Sequence, residues 1–257
     1  MGLSSNTLWH QTKYNFLKNI IKERRINVSY SLEKLKSTSP YSSNYAFPMV
    51  SLSDIPFSEL NSHLNKYGGH SIGFKREWVV KNKFTPVCYY SDKSFLLSDV
   101  IERIEYYRQR GNLSDDEKRD LKIFLYHLAN SKNYEGYLKT KDKEYQNYRF
   151  SDEREWRFVP LIEYMPDGLD FIIHENIYEG EKAQYNSRLN MSIGFGLEDI
   201  RYIIVEKESQ ISNFKDLIQK TFEKDLSTKG LSINKINYFT TKQVENDIFG
   251  LAHDVQL

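Results

Sequence analysis

Thr7-Leu8-Trp9-His10-Gln11, followed after Thr12 by Lys13-Tyr14-Asn15-Phe16-Leu17-Lys18-Asn19-Ile20-Ile21-Lys22-Glu23, is the stretch that decides the fold. Residues 7–11 are a short strand candidate. Phe16, Leu17, Ile20 and Ile21 then recur at helical spacing, which predicts a helix over 13–23. A strand feeding a helix at the start of the chain points to a mixed α+β protein. Next, Ile26-Asn27-Val28-Ser29-Tyr30 alternates apolar and polar residues with period two, as a half-exposed strand does. Residues 35–45 carry Ser, Thr, Pro and Asn and are predicted to be loop, and 47–52 form a buried strand. That strand ends at Ser53-Asp54-Ile55-Pro56, from which a helix over 58–66 can start.

Beyond Gly68-Gly69 the pattern predicts a strand over 71–75, a short helix over 76–83 and a strand around Cys88. Over 93–133 the character changes. Val100, Ile101, Ile104 and Tyr107, then Leu121, Phe124, Leu125 and Leu128, give two amphipathic helices broken at Gly111-Asn112. We read this segment as a helical hairpin inserted in a single domain spanning 1–257. Residues 139–143 are expected to form a surface loop. Strands are expected over 155–159, 169–173, 200–205 and 233–239, and helices over 211–222 and 243–249. No internal repeat occurs at the usual solenoid periods.

Composition narrows the function. Lysine plus arginine number 36 against 35 aspartate plus glutamate, so no overall field draws the chain to nucleic acid or an anionic membrane. The single cysteine, Cys88, excludes an internal disulfide and a cysteine-based zinc site, as expected for a reducing cytoplasm. No window approaches the roughly 18 apolar residues of a membrane span, and the first residues lack the basic and apolar segments of a signal peptide. No P-loop, dinucleotide fingerprint, zincin helix or nucleophile elbow is present.

Four places carry candidate chemistry. In Leu8-Trp9-His10-Gln11-Thr12, His10 and Thr12 share a strand face and could hold vicinal ribose hydroxyls; a histidine packed at a strand end is the plain alternative. In Ser151-Asp152-Glu153-Arg154-Glu155-Trp156-Arg157-Phe158-Val159-Pro160, Glu155 and Arg157 share one face of a strand and Trp156 and Phe158 the other. An exposed ion-paired face is the alternative there. The strand carrying Ser51 could form a cleft wall, or Asp54 could simply cap the following helix. Tyr30, Tyr89 and Tyr90 could stack on a flat ring or pack in the core. No acidic or histidine cluster has metal-ligand spacing.

Five segments, taken in order, resemble the AbiGi family of abortive-infection proteins: NTLWHQT at 6–12, PMVSLSDIP at 48–56, KYGGHSIGF at 66–74, EREWRFVP at 153–160 and LEDIRYIIV at 197–205. The resemblance implies a phage-defence setting, a toxin and antitoxin pairing in which the family has been placed on the antitoxin side, and a partner that is a cognate toxin, an antitoxin or a phage protein. More distantly, the His-x-Thr strand and the late glutamate are similar to ADP-ribosyltransferases, including the DarT-like modifiers of nucleic acid. That likeness implies a split mixed sheet with peripheral helices, and NAD as substrate. It gives Glu155 as the catalytic acid, His10 on the adenosine-side ribose with Thr12 assisting, and Tyr30 on the nicotinamide. Ser51 is expected in the same dinucleotide site, and Arg157, on the strand face of Glu155, could hold the pyrophosphate or keep Glu155 ionised. Ser29 or Tyr45 could stand in for Tyr30, and Glu153 for Glu155. The acceptor would be nucleic acid or protein, or water if the activity is NAD hydrolysis. A non-catalytic antitoxin or sensor built on the same scaffold is the rival expectation.

Overall fold

The computed structural model describes residues 6–41, 44–140 and 143–246. In chain order these form β1 (Thr7–Thr12), α1 (Tyr14–Glu23), β2 (Arg25–Asn27), β3 (Ser29–Lys34), β4 (Asn44–Ser53), α2 (Leu60–Tyr67), β5 (His70–Lys75), α3 (Arg76–Lys81), β6 (Thr85–Pro86) and β7 (Cys88–Tyr90). The hairpin α4 (Phe95–Arg110) and α5 (Asp115–Ala129) follows, then β8 (Ser131–Asn133), β9 (Glu135–Lys139), β10 (Glu144–Arg149), β11 (Glu155–Phe158) and β12 (Ile173–His174). The chain continues through α6 (Glu175–Arg188), β13 (Ser192–Gly194), β14 (Ile200–Val205), α7 (Glu208–Thr221), α8 (Glu223–Lys229), β15 (Asn237–Thr240) and α9 (Thr241–Asn246).

Strands run β15-β14-β5-β1-β4-β11-β6 across the main sheet, and β3 and β12 also pair with β4. All of its ladders are antiparallel except β14 with β15. The fold is therefore α+β with a large mixed sheet, as the alternating strand and helix patterns predict.

Two features of the sheet place a cleft in it. First, β1 holds β5 along its whole length, from Thr7↔Lys75 to Thr12↔His70, but meets β4 at Trp9↔Ser53 alone. Past that point the two central strands part. Second, β4 changes partners along its length: residues 44–49 pair with β3 and 50–53 with β11. Pro48, which has no N–H to give, stands next to this exchange.

Period two along β4 then decides what each face touches. Ala46, Val50 and Leu52 enter the main core with Leu8, Ile72, Phe74 and Ile203, which α1, α3 and α7 cover. Tyr45, Phe47 and Met49 enter a second core built with Leu97, Ile101, Ile104, Leu125 and Leu128 of the helical hairpin. A third cluster, around Trp9, Phe57, Leu60 and Tyr202, lies under α2 and α9. Gly68 turns α2 back into β5 with φ +131°, and a Cβ there would stand 2.6 Å from the Thr12 carbonyl oxygen, so the position requires glycine.

Several elements differ from the sequence expectation. The strand over 26–30 is interrupted at Val28, whose N–H donates to the Met191 carbonyl at 2.9 Å, giving β2 and β3 separate partners. The expected strand over 169–173 reduces to β12, because Leu169 and Phe171 lie on irregular chain and are buried in different cores, Leu169 in the main core and Phe171 in the hairpin core. The first part of 233–239 is a 3-10 turn ahead of β15. Of the expected loop at 139–143, Lys139 ends β9, the Thr140 N–H donates to the Lys143 carbonyl at 2.9 Å, and 141–142 lie outside the described residues. The closing helix is described to Asn246, and 247–249 lie outside the described residues.

Candidate functional site

Where β1 and β4 part, a half-open cavity of about 320 Å³ forms. His10 and Gln11 line it from β1, Ser29, Ser31 and Glu33 from β3, and Met49, Ser51 and Ser53 from β4. Glu153 closes it from the turn before β11 and Glu155 from the first position of β11, with Lys132 from β8, Tyr67 from α2 and Asn27 from β2. The polar wall follows from strand parity: Asn27, Ser29, Ser31 and Glu33 oppose the buried Ile26, Val28 and Tyr30.

Opposite charges alternate through the floor of the cavity. Arg157, with no exposed surface, donates from Nη2 to Glu33 at 2.5 Å and from Nε to Glu155 Oε1 at 2.7 Å. Its Nη1 donates to the carbonyls of Ala129 at 2.8 Å and Ser131 at 3.2 Å. Lys132 Nζ reaches Glu155 Oε2 at 2.6 Å and Glu153 Oε2 at 2.9 Å, and the Tyr67 hydroxyl donates to Glu153. Ser51 completes the set, its hydroxyl donating to Glu155 Oε1 at 2.6 Å.

Burial alone would push the Glu155 carboxyl up, but Arg157 and Lys132 outweigh it and hold the group well below the usual carboxylate range. Glu155 is therefore an anion at neutral pH. Glu33 goes the other way, since its burial outweighs Arg157 and Lys132 and raises its pKa. Lys132 remains a firm cation, because Glu155, Glu153 and Glu33 overcome the burial that opposes its charge.

His10 spans the gap between the diverging strands with its ring, the Nδ1 lying 3.1 Å from the Ser51 carbonyl oxygen. A carbonyl only accepts, so Nδ1 carries the proton and Nε2 is left with a lone pair. Burial lowers the His10 pKa more than this hydrogen bond raises it, so the ring is neutral at pH 7.

His10, Ser51 and Glu155 thus meet on one cavity, as the sequence suggests. Three other residues do not line it. Tyr30 faces the main core, donating its hydroxyl to the Asp170 carbonyl at 2.5 Å, because it belongs to the apolar face of its strand with Ile26 and Val28. Ser29, weighed for the same role, lies on the cavity face, whereas Tyr45 is buried toward the helical hairpin with its hydroxyl on Glu105. Thr12 stands at the end of β1, outside the cavity. Arg157 lies beneath the surface and acts on the cavity through Glu155 and Glu33. Sequence reasoning passed over Glu33, Ser31, Lys132 and Tyr67. The polar alternation of residues 27–33 could have found the first two; Lys132 had no local signal, being brought in by the exit of the helical hairpin.

The family model described as "Putative abortive phage resistance protein AbiGi, antitoxin" matches residues 14–206, three quarters of the chain. The chain belongs to the AbiGi family. The match takes in the Ser51 strand, the hairpin and Glu153 to Arg157, and starts just after β1. The family's setting is abortive infection, a phage-defence response, and its antitoxin description implies a cognate toxin as partner. No curated protein and no solved structure matches the AbiGi chain significantly. Among the described residues no helix is long and apolar enough to cross a membrane, and no group of three or more His, Cys, Asp or Glu is disposed to hold a metal ion.

Proposed function

We propose that this AbiGi chain acts in phage defence as an ADP-ribosyltransferase-like enzyme that takes NAD into the cleft between β1 and β4 and breaks its nicotinamide–ribose bond. The ADP-ribose then passes to a nucleic acid, a protein or water. The observation that carries the reading is that His10 and Glu155, from opposite halves of the chain, line the same cavity across the point where the sheet divides.

The donor set suits a ribose. Serine hydroxyls at 29, 31, 51 and 53 and the Asn27 amide offer hydrogen bonds to vicinal hydroxyls, and Tyr67 is the aromatic residue among the described lining. At about 320 Å³ the cavity lies at the small end of the ~300–1,000 Å³ typical of ligand pockets. It takes the nicotinamide ribose and leaves the adenosine at the rim. Lys132 is the only lysine or arginine among the described lining residues, and it is held by two carboxylates, so the pyrophosphate also lies outside.

When the bond breaks, its electron pair leaves with nicotinamide and positive charge grows on the ribose. Glu155, ionised and buried, stabilises that charge and accepts from the ribose 2′-hydroxyl. Its four lone-pair positions are taken by Ser51, Lys132 and two nitrogens of Arg157. Ser51 gives way, because its hydroxyl needs only to rotate. His10, through the Nε2 lone pair, accepts from a second ribose hydroxyl and fixes the sugar.

The test is NAD labelled in its adenine half, incubated with the protein and a lysate of phage-infected cells. Free nicotinamide and labelled macromolecule are expected, and Glu155→Gln should lower the rate by about 10²–10³-fold, the usual cost of losing one preorganised electrostatic contact. Absence of NAD binding and of nicotinamide release by the wild type rejects the reading. The second reading, a non-catalytic antitoxin that holds its toxin, draws on the family description and on the full coordination of Glu155. It is favoured if folded Glu155→Gln protein still protects cells while changes on the outer face of the helical hairpin abolish protection.

A further inference from the structure

The helical hairpin and the cavity are built as one unit. One face of β4 runs from the hairpin core, with Tyr45, Phe47 and Met49, straight into the cavity wall, with Met49, Ser51 and Ser53. The carbonyls of Ala129, the last residue of α5, and of Ser131 hold Arg157, and the next side chain, Lys132, lands on Glu155 and Glu153. Both cations that keep Glu155 ionised and fix its direction are therefore held by the hairpin exit. Among the described residues β8 pairs with the three-residue β7 and with no other strand, and its last residue, Asn133, is tied to the Lys36 N–H at 2.8 Å and the Lys34 carbonyl at 2.7 Å.

Removing the ammonium group would leave Glu153 and Glu155, which share it at 2.9 and 2.6 Å, as neighbouring buried carboxylates with one cation fewer. Without the cation between them the two carboxylates repel, which works against the ionised, fixed state of Glu155. A guanidinium in the same place would keep the charge and the bonds to both.

We propose that Lys132 is a positioning residue through which the α4–α5 hairpin sets the charge and direction of Glu155, so that a movement of the hairpin switches the site. As regulation of the cavity this rests on the enzymatic reading above; the mechanical link between hairpin and Lys132 does not. The experiment has two arms. In the first, amine-reactive labelling of Lys132 is followed by mass spectrometry in the wild type, in Leu128→Ala, which loosens the hairpin core, and in Ile218→Ala, which loosens α7 on the main core. Slow labelling is expected in the wild type. In Leu128→Ala the rate should exceed that in Ile218→Ala by about tenfold or more, the change that 1.4 kcal/mol of local opening produces. Equal rates in the two variants, or a wild-type rate in Leu128→Ala, overturn the link; Leu125→Ala replaces Leu128→Ala if the latter does not fold. In the second arm, Lys132→Met should lose NAD cleavage and Lys132→Arg keep it, and equal loss in both or no loss in Lys132→Met overturns the positioning role. Should the wild type cleave no NAD, the enzymatic reading falls and the labelling arm alone decides the link.

Discussion

At the residue scale, burial sets protonation, and His63 is the case with the clearest consequence. It lies on α2, 4 % exposed, stacked on Tyr67, and its Nδ1 has no hydrogen-bond partner among the described residues. Burial pulls its pKa down to about 4, against a smaller upward pull from Glu153. The unfolded chain takes up the corresponding proton near pH 6.5, the ordinary histidine value. Between about pH 6.5 and 4 the unfolded state therefore binds a proton that the folded state refuses, and stability falls as pH falls. Stability is intact above that window, and the loss reaches the order of 2–3 kcal/mol at its acid end. His63→Gln should flatten this part of the curve. Urea unfolding at pH 7 and pH 4.5 for both proteins checks it, and parallel losses would refute the assignment. The same burial logic separates what was legible in the sequence from what was not. Glu155 and Arg157 on one strand face, and Ser29 beside Asn27, follow from period two. Tyr30 was misplaced because its aromatic ring suggested stacking on a ligand, while its parity with Ile26 and Val28 already assigned it to the core.

At the scale of the element, legibility tracks how much of a stripe each segment buries. The hairpin helices α4 and α5 were readable because Leu97, Ile101, Ile104, Leu125 and Leu128 recur at helical spacing and all face one core. By contrast α6 buries only Tyr178 and kinks at Glu181, so it left no period to detect. Nor did β9 and β10, which carry mostly polar and tyrosine side chains. A local signal also fixes where α5 begins. Ser114 accepts from the Glu117 N–H at 3.3 Å, and the Glu117 side chain accepts from the Ser114 N–H at 2.9 Å, closing a capping box ahead of three acidic residues. Ser114→Ala should cost about 1 kcal/mol of stability, with Ser114→Asp close to wild type, since aspartate caps as well as serine. Urea midpoints read this directly. An Ala variant as stable as the wild type would mean that tertiary packing, not the cap, fixes the first turn.

At the scale of the molecule, the helical insertion is part of the sheet's support and cannot be an ornament. β4 is the strand on which everything meets: it pairs with β3, β12, β11 and β1, and both of its faces are covered, one by the main core and the other by the hairpin. Replacing residues 95–129 with a short Gly/Ser linker would uncover Tyr45, Phe47 and Met49, at roughly 2 kcal/mol for each side chain. It would also remove the Ala129 carbonyl and unseat Ser131 and Lys132, leaving the fully buried Arg157 with N–H donors unmet, at a further ~1–3 kcal/mol. The sum approaches the entire stability of an ordinary domain, ~5–15 kcal/mol. The excised protein should therefore lose its cooperative urea transition and bind a hydrophobic dye such as ANS at neutral pH. A sharp transition with little dye binding would instead make the hairpin a detachable module. In that event the route from α5 through Lys132 to Glu155 would have no structural necessity behind it.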